Sequence, residues 1–246
     1  MNAPLREAQL RRSPRSAVLP LSNGEVNFLW WFIQGSIMQV DVRRALWRGW
    51  GLCQRHALGW LCVEAAFRNG YLHGPAIVYA ELMARARDAL QRRGPLKLRR
   101  AAAALRAQGP CHMCDLGYGP ASPGRAPPAR MRTGTDPEPL RAFVAASQGE
   151  WMRFVCGRCV GSSVPARCRV HLLDDLERGV SVDLDGQQDM LQAIAFGADR
   201  YQASFQWERR GTETAADRAA FVAAVGWCSG WHMLCDVLDG AAPESV

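Results

Sequence analysis

The chain has 246 residues, an apolar fraction of 48% and a formal net charge of +7. This is too apolar for a disordered chain, and the length suits one large domain or two small ones. The nine cysteines, an odd number, argue against a closed disulfide framework. Phe28-Leu29-Trp30-Trp31-Phe32-Ile33, the most apolar run, is far short of the roughly 20 residues that cross a bilayer.

In chain order, residues 1–22 read as a flexible basic arm, with Arg6, Arg11, Arg12 and Arg15, no apolar periodicity and no secretory leader pattern. Glu25 to about Met38 reads as a buried helix. Asp41 offers an N-cap to the next one, which Gly49 and Gly51 break. Cys53 to Phe67 is apolar at helical spacing, and another helix runs from about Gly74 to Arg92, stopped by Gly94-Pro95. Arg85 to Arg106 carries Arg85, Arg87, Arg92, Arg93, Lys97, Arg99, Arg100 and Arg106 against Asp88 alone. Such a run is a solvated helical face or a surface for an acidic partner. Between Gly117 and Pro139 lie six prolines and four glycines, which predict a long loop and a candidate binding segment. Helix is expected again over Pro139–Ala146 and Pro165–Leu176. Two amphipathic helices close the chain, striped by Leu191, Ile194, Ala198, Tyr201 and Phe205, and by Phe221, Val225, Cys228, His232 and Cys235. No stretch reads as a sheet-forming strand, so the expected fold is mostly α. It divides after the arm into a half over 23–108 and a half over 109–246, which a single continuous domain could also accommodate.

Eight potential metal ligands fall into four pairs with the same two-residue gap: Cys53/His56, Cys111/Cys114, Cys156/Cys159 and Cys168/His171. A zinc site needs four soft or borderline donors, and one tight turn or helix start supplies two at this gap. Four pairs therefore predict two zinc ions. Two pairs open the same phrase, Cys-x-x-His-x-Leu-x-x-Leu, from Cys53 through Leu58 and Leu61 and from Cys168 through Leu173 and Leu176. A helix start favours thiolate through its free N–H groups, and the leucines anchor the helix to a core. Cys62 reads as core. The Cys228, His232 and Cys235 face reads as packing rather than ligation, and His112 as exposed.

The segment from Phe32 through Arg43, followed by Gly51-Leu-Cys53-Gln-Arg-His56, resembles an uncharacterised family of helical bacterial proteins. In that family a Cys-Pro-x-Cys pair precedes a Gly-Phe-Cys-x-x-His phrase and the unit occurs twice. Ser204-Phe-Gln-Trp207 and the helix from Asp217 to Gly230 resemble its C-terminal end. The resemblance implies a zinc-binding helical architecture and carries no activity. Where the family places its first Cys-Pro-x-Cys, this chain has Leu19-Pro20-Leu21-Ser22. The resemblance therefore favours Cys156 and Cys159 completing the site begun by Cys53 and His56, with Cys111, Cys114, Cys168 and His171 forming the other. The rival pairing joins Cys53/His56 to Cys111/Cys114 and makes a local finger of Cys156, Cys159, Cys168 and His171, which loop-closure entropy favours.

The leading functional expectation is a non-enzymatic cytoplasmic protein with structural zinc, acting as scaffold, adaptor or regulatory module toward an unknown protein or acidic partner. A thiol-based redox or metal sensor is an alternative. A zinc hydrolase of deaminase type is another, since Cys62-Val63-Glu64 and Pro110-Cys111-His-Met-Cys114 resemble the phrases of those enzymes. Nucleic-acid binding is allowed but not indicated, because no ββα pattern or interleaved aromatics accompany the basic run.

Overall fold

A computed structural model describes residues 20–238 except 92, 93 and 95. Most of the basic arm, Leu19, Arg92 and Arg93 thus lie outside the described residues. The described chain is mostly helical and contains no strand. Its helices are α1 (Asn23–Phe32), α2 (Val40–Gly49), α3 (Gln54–Phe67), α4 (His73–Leu90), α5 (Lys97–Leu105), α6 (His112–Asp115), α7 (Pro128–Gly134), α8 (Glu138–Ala145), α9 (Gln148–Trp151), α10 (Arg169–Glu177), α11 (Leu184–Ala203), α12 (Ala215–Ser229) and α13 (His232–Leu238).

The central layer is α4, α11 and α12. Small residues let α11 and α12 approach closely: a Cβ on Gly197 would stand 2.4 Å from the Ala220 Cβ. One hydrophobic cluster then runs from Leu21 to Val237, built on Trp–Trp pairs such as Trp50 with Trp227 and Trp151 with Trp231. Burying such rings contributes on the order of 2–3 kcal/mol each. Among the described residues no helix is long and apolar enough to cross a membrane.

Several local expectations need correction. The first helix ends at Phe32, and a short 3-10 turn over Ser36–Met38 follows Gly35, whose φ is +138°. Gln39, not Asp41, stands at the N-cap of α2; Asp41 lies in the first turn, where its charge favours the helix dipole. The Pro/Gly segment contains α7, because Pro128 sits in the first helical turn, where its missing N–H costs nothing. The helix expected from Pro165 starts at Arg169, with Cys168 at its N-cap. The last stripe is split over α12 and α13 by Gly230, whose φ is +112°.

The rest of the Pro/Gly segment is a strap fastened to the start of α1. Gly24 N–H donates to Ser122 O at 3.0 Å, Ser22 Oγ to Gly119 O at 2.8 Å, and the Asn23 side chain bonds the Ala126 carbonyl and N–H at 3.0 and 2.8 Å. A Cβ on Gly24 would lie 2.6 Å from the Pro123 carbonyl oxygen, so glycine is what permits this contact. Pro20–Ser22, expected within the flexible arm, already belong to the fold: Leu21 is buried and Ser22 caps α1.

Candidate metal centres

The eight ligand residues converge on two centres, Cys53, His56, Cys111 and Cys114 in one and Cys156, Cys159, Cys168 and His171 in the other. The pairing favoured by the resemblance is therefore overturned, and the rival pairing holds. The reason is local. The chain from Cys156 to His171 folds on itself, with Gly157 N–H donating to Ala166 O at 3.0 Å and Ser162 N–H to Gly157 O at 2.9 Å. A Cβ on Gly157 would come within 2.1 Å of the Val164 carbonyl oxygen, so this knuckle demands glycine.

In the first centre, Cys53 is the N-cap of α3 and His56 lies one turn in; Cys111 is the N-cap of α6 and Cys114 lies within it. His56 Nδ1 is 3.4 Å from each of the Cys53, Cys111 and Cys114 sulfurs, and the Cys53 and Cys114 sulfurs are 3.8 Å apart. In the second centre, His171 Nδ1 is 3.3, 3.4 and 3.3 Å from the Cys156, Cys159 and Cys168 sulfurs, and the Cys159 and Cys168 sulfurs are 3.7 Å apart. A tetrahedron with about 2.3 Å to sulfur and 2.0–2.1 Å to nitrogen has edges of about 3.8 and 3.6 Å. The donor set fits such an ion in both centres. It does not fit disulfides, which need sulfurs about 2.0 Å apart, and the six ligand cysteines are free.

The repeated phrase has a structural meaning. Cys53 (φ −64°, ψ 169°) and Cys168 (φ −74°, ψ 166°) adopt nearly the same N-cap geometry. Both helix starts also meet the C-terminal end of α12. Ser229 Oγ donates to Leu52 O at 2.9 Å, and Arg169 donates to the Cys228 and Leu105 carbonyls at 3.4 and 3.0 Å. The leucines follow the phrase less closely: Leu58 and Leu61 are fully buried, Leu173 and Leu176 partly so, and Leu172 takes the deepest position in the second copy.

Around the donors lie charged partners that sequence reasoning missed. Glu25, fully buried on α1, accepts from Arg55 Nε and Nη2 at 2.6 and 2.7 Å and from Ser22 N–H at 2.7 Å. Its Oε1 is also 3.2 Å from His56 Nε2. Burial opposes the charge on Glu25, but bonds from His56, Arg55 and Ser22 outweigh it and hold the carboxyl well below the usual range. The only signal in the sequence was the capping box Ser22-x-x-Glu25, which is present. In the second centre Arg158, between the ligands Cys156 and Cys159, donates to Asp174 and Asp175 at 2.7 and 2.6 Å, and Arg167 Nε donates to Asp175 at 2.9 Å. These bonds clamp the knuckle to α10.

Without a cation the donors share protons unequally. A hydrogen bond from Cys53, helped by one from His56, pulls the Cys111 thiol down to about 3, and the same contact with Cys111 pushes Cys53 up. Cys159 and Cys168 lower Cys156 in the same way, while Cys159 is raised. Burial works against a charged His56, yet bonds to Cys111 and Glu25 raise it to about 9; bonds to Cys156 and Cys168 raise His171 to about 10. A divalent cation must displace the retained protons, so affinity falls as pH falls.

Residues outside the centres occupy the places expected of core. Cys62 is fully buried mid-helix, where burial raises its thiol to about 12, and it is not among the donor atoms. Cys228 and Cys235 are buried on different helices. His112, expected to be exposed, is instead half-buried because its ring lies against Phe28, and it stands outside the donor set.

Fold and centres together define a helical protein with two Cys3His clusters able to hold metal ions. No family model matches the chain, and no curated protein or solved structure matches it either.

Proposed function

We propose that both clusters bind zinc and that the zinc is structural, the protein serving as a scaffold or adaptor rather than an enzyme. The observation that carries this reading is the completeness of each donor set: three sulfurs and one nitrogen at tetrahedral spacing fill all four positions, which leaves none open for substrate. Thiolate-rich sites select zinc among common divalent ions, and six ligand cysteines without disulfides suit a reducing, cytoplasmic setting. Metal removal should then melt helix. Circular dichroism of protein stripped by a chelator and reloaded with zinc tests this, and an unchanged melting curve after verified removal would contradict it.

For a partner, the basic face of α5 is the surface with the best chemical rationale. Ala101, Ala102 and Leu105 are buried, whereas Lys97, Arg99 and Arg100 are exposed. Arg99→Glu with Arg100→Glu should leave zinc content intact and weaken capture of an acidic partner, strongly so at low salt. The Gly117–Pro139 segment is a weaker candidate, since much of its hydrogen bonding is spent on α1.

A second reading, a thiol-based redox sensor, draws on one asymmetry. Cys114 of the first centre is exposed, while all three cysteines of the second are buried. Hydrogen peroxide taking two electrons from a Cys111/Cys114 thiolate pair would form a disulfide and water and release that zinc first. Equal release from both centres would count against a sensor role.

A further inference from the structure

Away from both metal centres lies an open cleft of about 1250 Å³. It is bounded by the turn after α1, the α3–α4 turn, α8 and the segment after α11. Three exposed large apolar side chains stand around it: Met38, Tyr71 and Trp207, the last 83% exposed. Its wall is aromatic. The Phe205 ring lies 4.7 Å from His73, 5.3 Å from Tyr201 and 6.2 Å from Tyr71.

Among these linings sits one deeply buried carboxyl group. Glu64 is 4% exposed, with Oε1 accepting from Gly74 N–H at 2.7 Å and Oε2 from Trp60 Nε1–H at 2.8 Å. A Cβ at residue 74 would stand 2.9 Å from Glu64 Oε2, so Gly74 leaves the carboxyl its place. A carboxylate offers about four lone-pair sites, and the protein fills two.

We propose that this cleft binds a small primary amine carried on a flat apolar body, with the ammonium donating to Glu64 and the aromatic wall covering the body. The deeply buried carboxyl group facing the cleft ionises to a carboxylate, whose complement is a cation. The positive groups of the cleft are more exposed than Glu64: Arg210 and Arg68 are exposed, Arg68 donates to Ile33 O at 3.0 Å while its charge reaches Glu64, and Arg218 is paired with Glu213 at 3.0 Å. The carboxylate sits where screening is weak, and ring faces attract cations through their quadrupole. Exposed apolar side chains gathered around one concavity are what a binding site, rather than a core, leaves behind.

Calorimetry on the zinc-loaded full chain with three probes tests this: phenethylamine, 3-phenylpropionate and 2-phenylethanol. The amine is expected to bind one site at least about tenfold more tightly than the acid or the alcohol. Glu64→Gln should cut amine affinity at least about tenfold, since a charge-assisted bond becomes a neutral one. Trp207→Ala, at an exposed position that cannot unfold the protein, should weaken amine binding with the melting temperature unchanged. Equal binding of all three probes, amine binding weaker than about 10 mM, or undiminished binding to both variants would overturn the proposal. If Glu64→Gln fails to fold, the probe comparison and Trp207→Ala still decide it.

Discussion

His56 presents Nδ1 to three cysteine sulfurs and Nε2 to the Glu25 carboxylate, 3.2 Å away. A carboxylate behind a ligand imidazole fixes its tautomer and ring plane and raises its basicity. Glu25 comes from α1, whose start is fastened to the strap that leaves the Cys111/Cys114 turn. The first centre is thereby tied into three distant parts of the chain, whereas the second is local.

Replacing Glu25 with Gln should weaken zinc at the first centre about 10- to 100-fold and leave the second nearly unchanged. A chelator titration monitored by released zinc would become biphasic, with one equivalent lost early. Simultaneous loss of both equivalents would show that Glu25 supports the fold rather than the ligand.

Cys168→Ser should destabilise more than Cys62→Ser. The first removes a thiolate donor and leaves three partners around an incomplete site; the second trims a buried thiol within α3. The difference is expected to be on the order of 2 kcal/mol or more, read from denaturant midpoints in the presence of zinc. Equal midpoints would contradict the role given to Cys168.

Glu64 sets a pH dependence. Burial pushes its carboxyl up from 4.5 to about 7, against opposing bonds from Gly74 and Trp60 and the nearby charge of Arg68. A folded value above the unfolded one means that the stability of the protonated form is fully present below about pH 4.5 and is lost as pH rises to about 7. The loss amounts to roughly 1–3 kcal/mol. Glu64→Gln should remove that slope, so its stability relative to the unmutated chain should rise between pH 5 and pH 7. Parallel stability curves would mean that Glu64 is ionised in the fold throughout.

The four ligand pairs were legible because each is a local spacing that a single turn or helix start can satisfy. Their pairing into centres was not, because it depends on the strap from Gly117 to Ala126 returning to Ser22, Asn23 and Gly24, a contact of polar side chains and backbone that leaves no periodic trace. The resemblance misled here by treating Cys156/Cys159 as a replacement for donors missing at Leu19–Ser22, when the Gly157 knuckle closes on Cys168 and His171. Helix existence was readable from apolar spacing in α3, α4 and α11. The breaks at Gly35 and Gly230 were not, because a glycine in a helical pattern shows its positive φ only once its neighbours are packed. Glu25 read only as the start of a helix; its capping bond to Ser22 is local, but its contact with His56 spans 31 residues.

Zinc K-edge X-ray absorption on protein of measured metal content tests the two-centre reading most directly. Two zinc ions per chain are expected, with an average shell of three sulfurs near about 2.3 Å and one nitrogen near about 2.0 Å. One zinc or none per chain, or a shell containing a water oxygen in place of a sulfur, would contradict two closed Cys3His centres.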